Sequence, residues 1–181
     1  MQQENKMGVM PINRLIITML LPMIVSMLVT ALYNVVDSIF VARIGEKALT
    51  AVSLSFPIQN LMIAISTGTG VGINALLSMN LGRKDFKAVG KVASNGLFLS
   101  ACSSLLFIIF GLFFTPLFFQ SQTSDPEIIQ YGCDYLKICS IMCFGLFMQI
   151  TNDRILQATG KTVYTMFTQG TGAVINIILD P

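Results

Sequence analysis

Long apolar runs without charge, broken by short charged connections, set the pattern of this chain. The first lies between Arg14 and Arg43, where Asp37 is the only charged side chain. Its 22 residues from Leu15 to Val36 carry no charge, and as a helix they extend about 33 Å, enough to cross a hydrocarbon core of ~30 Å. Ala48–Gly82 is a second run of 35 residues without charge, and Val92–Ser124 a third of 33. Ile138–Asn152 is shorter, but Lys137 can snorkel, so that helix can begin earlier. A start signal precedes it at Ser124-Asp125-Pro126-Glu127, which joins capping-box spacing to a proline suited to a first helical turn. The last run, Thr162–Leu179, ends at Asp180-Pro181. The pattern predicts an all-α membrane protein with five transmembrane helices near 15–41, 49–80, 92–119, 131–153 and 162–181.

Composition agrees. Hydrophobic residues make up 54% and charged residues 11%, against about 25% charged in soluble domains; mean hydropathy is +0.73. A net charge of +2 gives no reason to expect nucleic acid as a partner. The four cysteines show no CxxC spacing, and Cys139 and Cys143 share a helix face where packing explains them. The N-terminal stretch lacks a compact basic region, and the run after it is too long for a cleaved leader. Without histidine no Ser-His or Cys-His pair exists, and the YD and GxGD contexts of intramembrane aspartyl proteases are missing, so no enzyme is expected.

Charge placement predicts orientation. With the N-terminus inside, the inner segments hold Lys6, Arg14, Arg83, Lys84, Lys87, Lys91, Arg154 and Lys161, and the outer ones Arg43, Lys47 and Lys137. That excess places the N-terminus in the cytoplasm, for a multi-pass protein of the inner (plasma) membrane. Spans 1 and 5 then run the same way. Asp37 lies 23 residues beyond Arg14 and Asp180 lies 19 beyond Lys161, offsets of about 34 and 28 Å in straight helices. Both carboxylates are therefore expected at similar height in the outer half of the membrane. Asn34 precedes Asp37 by one turn, and Asn176 precedes Asp180 by one turn. Two acids with amide oxygens suit a hard cation such as Na⁺ at Asp37, Asp180 and Asn176, or a shared proton. The alternative is that each aspartate sits solvated at the outer interface, unrelated to the other.

Other motifs read more plainly. Gly68-Thr69-Gly70-Val71-Gly72 lies in an apolar span with no preceding strand, so it is no phosphate loop. Gly68 and Gly72 form a small-xxx-small pair that would admit a neighbouring helix. Pro22 and Pro57 interrupt their spans and are expected to kink them, Pro22 as a hinge. Phe107, Phe110, Phe113, Phe114, Phe118 and Phe119 are expected to face lipid or pack.

In matching order along nearly the whole chain, several stretches resemble the MATE (multidrug and toxic compound extrusion) family of transporters. They are Tyr33-Asn34-Val35-Val36-Asp37, Ala48-Leu49-Thr50-Ala51-Val52-Ser53, Leu81-Gly82-Arg83-Lys84-Asp85, Gln157-Ala158-Thr159-Gly160-Lys161 and Asn176-Ile177-Ile178-Leu179-Asp180-Pro181. The resemblance implies an N-terminal lobe of six helices, here incomplete at five, paired with a C-terminal lobe that this chain lacks. It implies export of organic cations or other amphipathic drugs by Na⁺- or H⁺-coupled antiport, with no further cofactor. By motif, the coupling residues are Asp37, Asp180 and Asn176, with Asn152 as the nearest span-4 asparagine. Tyr33 and Asn34 would support them, and Pro22 matches a proline proposed as the bend of span 1. The expected partners are the lipid bilayer, a small cationic or amphipathic substrate and the missing lobe, so the chain is expected to be a fragment. A lipid-linked oligosaccharide flippase of the same superfamily would want a more cationic cavity. A non-transporting membrane fragment is the remaining alternative.

Overall fold

A computed structural model describes residues 11–179. Among these residues there are six α-helices and no strand: α1 (Ile12–Ile44), α2 (Glu46–Gly82), α3 (Phe86–Phe113), α4 (Thr115–Gln122), α5 (Pro126–Ala158) and α6 (Thr162–Leu179). In lipid every backbone N–H and C=O must be satisfied within the chain, and helix is how these apolar runs do it. Among the described residues four helices are long and apolar enough to span a membrane: Ile12–Val36 within α1, then α2, α3 and α5. α6, with 18 residues, is helical over the fifth run but is not among those four. Hydroxyls inside the helices donate back to carbonyls one turn earlier, as Thr18 does to Arg14 (2.6 Å) and Ser55 to Ala51 (2.9 Å). This removes polar surface that lipid cannot solvate.

The third apolar run is not one helix. α3 ends at Phe113 and α4 restarts at Thr115, with Phe114 as its N-cap and a proline in its first two positions. Pro116 has no N–H to continue the ladder and crowds the carbonyl four residues back, so the helix breaks just before it. Thr115 Oγ1 donates to the Gly111 carbonyl at 2.6 Å. Pro22 and Pro57, by contrast, lie inside continuous α1 and α2. At the start of α5 the capping role falls to Asp125, not Ser124: Asp125 Oδ1 accepts the Glu127 N–H at 2.9 Å, and Pro126 takes the first helical position.

The chain divides into two compact units. The first comprises the described parts of Met1–Phe40, Gly72–Ala93 and Asn152–Pro181. Its core is Ile73, Leu77 and Ala158, covered by Val89, Val92, Ala93 and Ile155. Two of its helices end in the same reversal. Asp85 N–H bonds Asn80 O (3.0 Å) after α2, and Lys161 N–H bonds Leu156 O (2.9 Å) after α5. The left-handed residue is Lys84 (φ 58°) in one and Gly160 (φ 76°) in the other.

The second unit comprises Val41–Val71 and Ser94–Thr151. One cluster joins Met62, Cys143 and Phe147, with Phe107 against Phe147 at 5.7 Å between ring centroids. Another joins Phe119, Cys133 and Leu136. The phenylalanine series is thus split: Phe119 is fully buried, whereas Phe113 is exposed. Among the described residues none of the four cysteines forms a disulfide. Ser100 and Thr151 share a buried hydrogen bond of 2.5 Å, and Gln59 Nε2 donates to the Tyr135 hydroxyl at 2.9 Å. The close helix approaches are not at Gly68 and Gly72, where an added Cβ meets nothing within 4 Å. They are at Gly111, where it would overlap Ser140, and at Gly132, where it would overlap the Phe119 ring. Among the described residues the Gly68/Gly72 pair has no helix against it: small residues permit contact, but the neighbouring helix decides where contact occurs.

Candidate functional site

The residues singled out by charge and motif fall on three helices. Asp37 and Tyr33 belong to α1 and Asn176 to α6, but the side chains of all three lie outside the described residues, as does Asp180 altogether. Asn34 is on α1, three residues before Asp37, and is exposed. Asn152 is on α5 and is also exposed. Pro22 sits half-buried inside α1, in the first unit with Asn152 and α6. Both members of each amide–acid pair stand at one-turn spacing, i−3 for Asn34 and Asp37 and i−4 for Asn176 and Asp180.

The acid that sequence reasoning passed over is the residue after Asn152. Asp153 on α5 is 7% exposed and accepts a hydrogen bond from Gln169 Nε2 of α6 at 2.9 Å. Successive helical residues point about 100° apart, so an exposed Asn152 and a buried Asp153 are compatible on one helix. The next residue, Arg154, donates from Nη1 to Gln157 Oε1, one turn on, at 2.9 Å. Beside them is a cavity of about 110 Å³. α1 contributes Met23, Ser26 and Met27, α5 Arg154 and Gln157, and α6 Thr162, Thr165 and Gln169. A space of that size has room for several waters, although most of its wall is apolar. Among the described residues Thr165 Oγ1 finds no hydrogen-bond partner there, and it is buried. The signal for Asp153 in the sequence was weak, because it follows the end of the apolar run Ile138–Asn152 and stands next to Arg154. Among the described residues no cluster of three or more Asp, Glu, Cys or His could hold a metal ion.

The MatE family model matches residues 22–181, nearly the whole described chain. This chain belongs to the MatE family. A FAD transporter of Shewanella oneidensis is 29% identical over 94% of the chain and 38% of that protein. A multidrug export protein, MepA of Staphylococcus haemolyticus, is 28% identical over 89% of the chain and 36% of its own length. Among solved structures, a MOP superfamily transporter from Pyrococcus furiosus superposes with a TM-score of 0.93 at 27% identity. It covers 99% of this chain and 40% of its own. The chain therefore corresponds to the N-terminal lobe of a MATE transporter, spans less than two-fifths of the curated relatives it matches, and is a multi-pass membrane protein.

Proposed function

We propose that this lobe belongs to a secondary active exporter of organic cations or other amphipathic drugs, driven by inward flow of Na⁺ or H⁺. The observation behind this reading is a lone carboxylate, Asp37, on a long apolar helix of a MatE chain. Such a group in a membrane is costly unless it has a partner or a wet cavity. Asp180, Asn176 and the span-4 residue Asn152 are its proposed partners, with Asn34 and Tyr33 in support.

The mechanism follows from charge. Two neighbouring carboxylates in a partly dry lobe resist joint ionisation, so a cation or proton arriving from outside relieves their repulsion. Neutralising the pair shifts the lobe between two conformations, with α1 bending near Pro22, and drug bound between this lobe and the C-terminal lobe is released outward. Positive charge on the segments holding Arg83, Lys84, Lys87 and Lys91 supports a cytoplasmic N-terminus in the plasma membrane. The FAD transporter among the relatives supports a second substrate class, an anionic dinucleotide carried by the same coupling.

The test is Asp37→Asn in the protein made from its complete reading frame. Coupled drug efflux should vanish while membrane insertion stays at the wild-type level. Wild-type drug resistance in that variant would remove the mechanism.

A further inference from the structure

Several cations at one end of the first unit are left without an ion pair. Leu77 near the end of α2, Val89 near the start of α3 and Ala158 at the end of α5 pack in one cluster, so the α2–α3 and α5–α6 connections emerge at the same end. Arg83, Lys84, Lys87, Lys91 and Lys161 are all exposed there. Among the described residues none of these five forms an ion pair, whereas Lys47 in the second unit meets both Asp125 and Glu127. The exposed acid beside them, Asp85, accepts the Ala88 N–H at 3.0 Å as a helix cap, and Asp153 is buried. Lys87 and Lys91 stand one helical turn apart, where like charges repel. Lys84 adds a second cost. It holds φ 58° in the same kind of reversal for which α5 uses Gly160, and a side chain in that conformation is strained. Repulsion and strain kept at one place point to a function rather than to folding.

The start of α3 has two unlike faces. Val89, Val92 and Ala93 face the core, while Phe86 (57% exposed), Lys87, Gly90 and Lys91 form the outer face. Around the helix Gly90 lies between Phe86 and the two lysines. A Cβ there would meet nothing within 4 Å, so the surface has an open notch beside both lysines. Because α2 and α3 are each long and apolar enough to span a membrane, their connection lies at the membrane boundary, level with the headgroups. An exposed phenylalanine at that level can reach the acyl layer. We propose that this end of the first unit binds an anionic phospholipid, with the phosphate headgroup on Lys84, Lys87 and Lys91 and the acyl chains along Phe86 and the notch at Gly90. Arg83 and Lys161 widen the positive surface. Each cation held near an anionic lipid surface strengthens attachment roughly fivefold. A zwitterionic lipid, without net charge, gains none of this. The surface is separate from the Asp37/Asp180 reading and stands whichever side of the membrane it faces.

Native mass spectrometry, which counts retained lipid, provides the test. The protein made from its complete reading frame, held in a neutral detergent, is titrated with dioleoyl phosphatidylglycerol and separately with dioleoyl phosphatidylcholine. The wild type should retain phosphatidylglycerol in preference. In Lys84→Gln/Lys87→Gln/Lys91→Gln that retention should weaken roughly a hundredfold, about fivefold for each charge. Removing cations can also invert a membrane protein. Gly90→Glu avoids this, because it keeps every Lys and Arg. Its side chain enters open space and brings a carboxylate to Lys87, one turn away. It should weaken phosphatidylglycerol about fivefold and leave phosphatidylcholine unchanged. Equal retention of the two lipids by the wild type, an unchanged phosphatidylglycerol titration in Gly90→Glu, or displacement of the lipid by soluble glycerol phosphate would overturn the assignment.

Discussion

At Gly111 two helices of the second unit meet so closely that one methyl group decides the fit. A Cβ built on this α3 residue would overlap both Cβ and Oγ of Ser140 on α5, with the Ser140 Cα at 3.6 Å. Ser140 Oγ can turn about its side-chain bond, but Cβ is fixed to the backbone and cannot swing away, so Gly111→Ala forces the helices apart or strains them. Overpacking of this kind costs about 1–3 kcal/mol. At about 2–4 °C per kcal/mol for a chain of this size, the unfolding midpoint should fall by roughly 2–12 °C. The protein carries its own reporters, because Cys143 (2% exposed) and Cys133 (8%) lie in the same unit and react with a fluorogenic thiol dye only on unfolding. Exposed Cys102 sets the baseline. Ser140→Gly removes the atoms that the added methyl group would meet. Because Ser140 Oγ has no hydrogen-bond partner to lose, it costs only the ~0.5–1 kcal/mol of a helical glycine. The double variant should therefore unfold well above Gly111→Ala alone. A wild-type midpoint in Gly111→Ala, or a loss that Ser140→Gly does not relieve, would refute this packing.

Other expectations follow from single contacts. Lys47 Nζ lies 3.1 Å from Asp125 and 2.6 Å from Glu127, and its hydrogen bond holds the Asp125 carboxyl below its ordinary 3.8. A carboxyl lowered on folding stabilises the fold above its unfolded value and loses that contribution as pH falls through the folded one. The gap in midpoint between wild type and Asp125→Asn should therefore be small at about pH 6, sensitive to salt, and closed by about pH 2; a gap that persists in acid would contradict the ion pair. Lys84 holds a left-handed conformation (φ 58°) that glycine adopts freely, so Lys84→Gly should raise stability by about 1 kcal/mol, and a lowered midpoint would count against that geometry. Thr151→Val leaves the Ser100 hydroxyl buried without its 2.5 Å partner and should cost about 1–3 kcal/mol in the same thiol assay.

The helices were legible because lipid imposes a crude rule, and the runs from Leu15, Ala48 and Thr162 obey it without interruption. What the runs concealed was local backbone chemistry. Pro116 ends a helix, whereas Pro22 and Pro57 lie within continuous ones, and the three look alike as letters in an apolar stretch. The cap before α5 moved one residue, from Ser124 to Asp125, because an aspartate oxygen reaches the free N–H groups directly. Contact sites were hidden for a different reason. A glycine states that a neighbour could come close, and only the packed chain shows that one does at Gly111 and none does at Gly68. Asp153 was hidden by rotation, since a reading by motif selects Asn152 as the nearest span-4 asparagine, and the buried face belongs to the next residue.

The central claim is that Asp37 and Asp180 face one another across a shared ion site. Replace both with cysteine, remove the four native thiols, insert a protease site in the connection after α5, and treat membranes with oxidant or a short bifunctional thiol reagent. The account predicts that cleaved halves stay joined in Asp37→Cys/Asp180→Cys and separate in either single variant, since a disulfide needs Cα atoms within about 7 Å and the reagent adds only a little reach. Halves that separate in the double variant, while an Asp153→Cys/Gln169→Cys control stays joined, would contradict it.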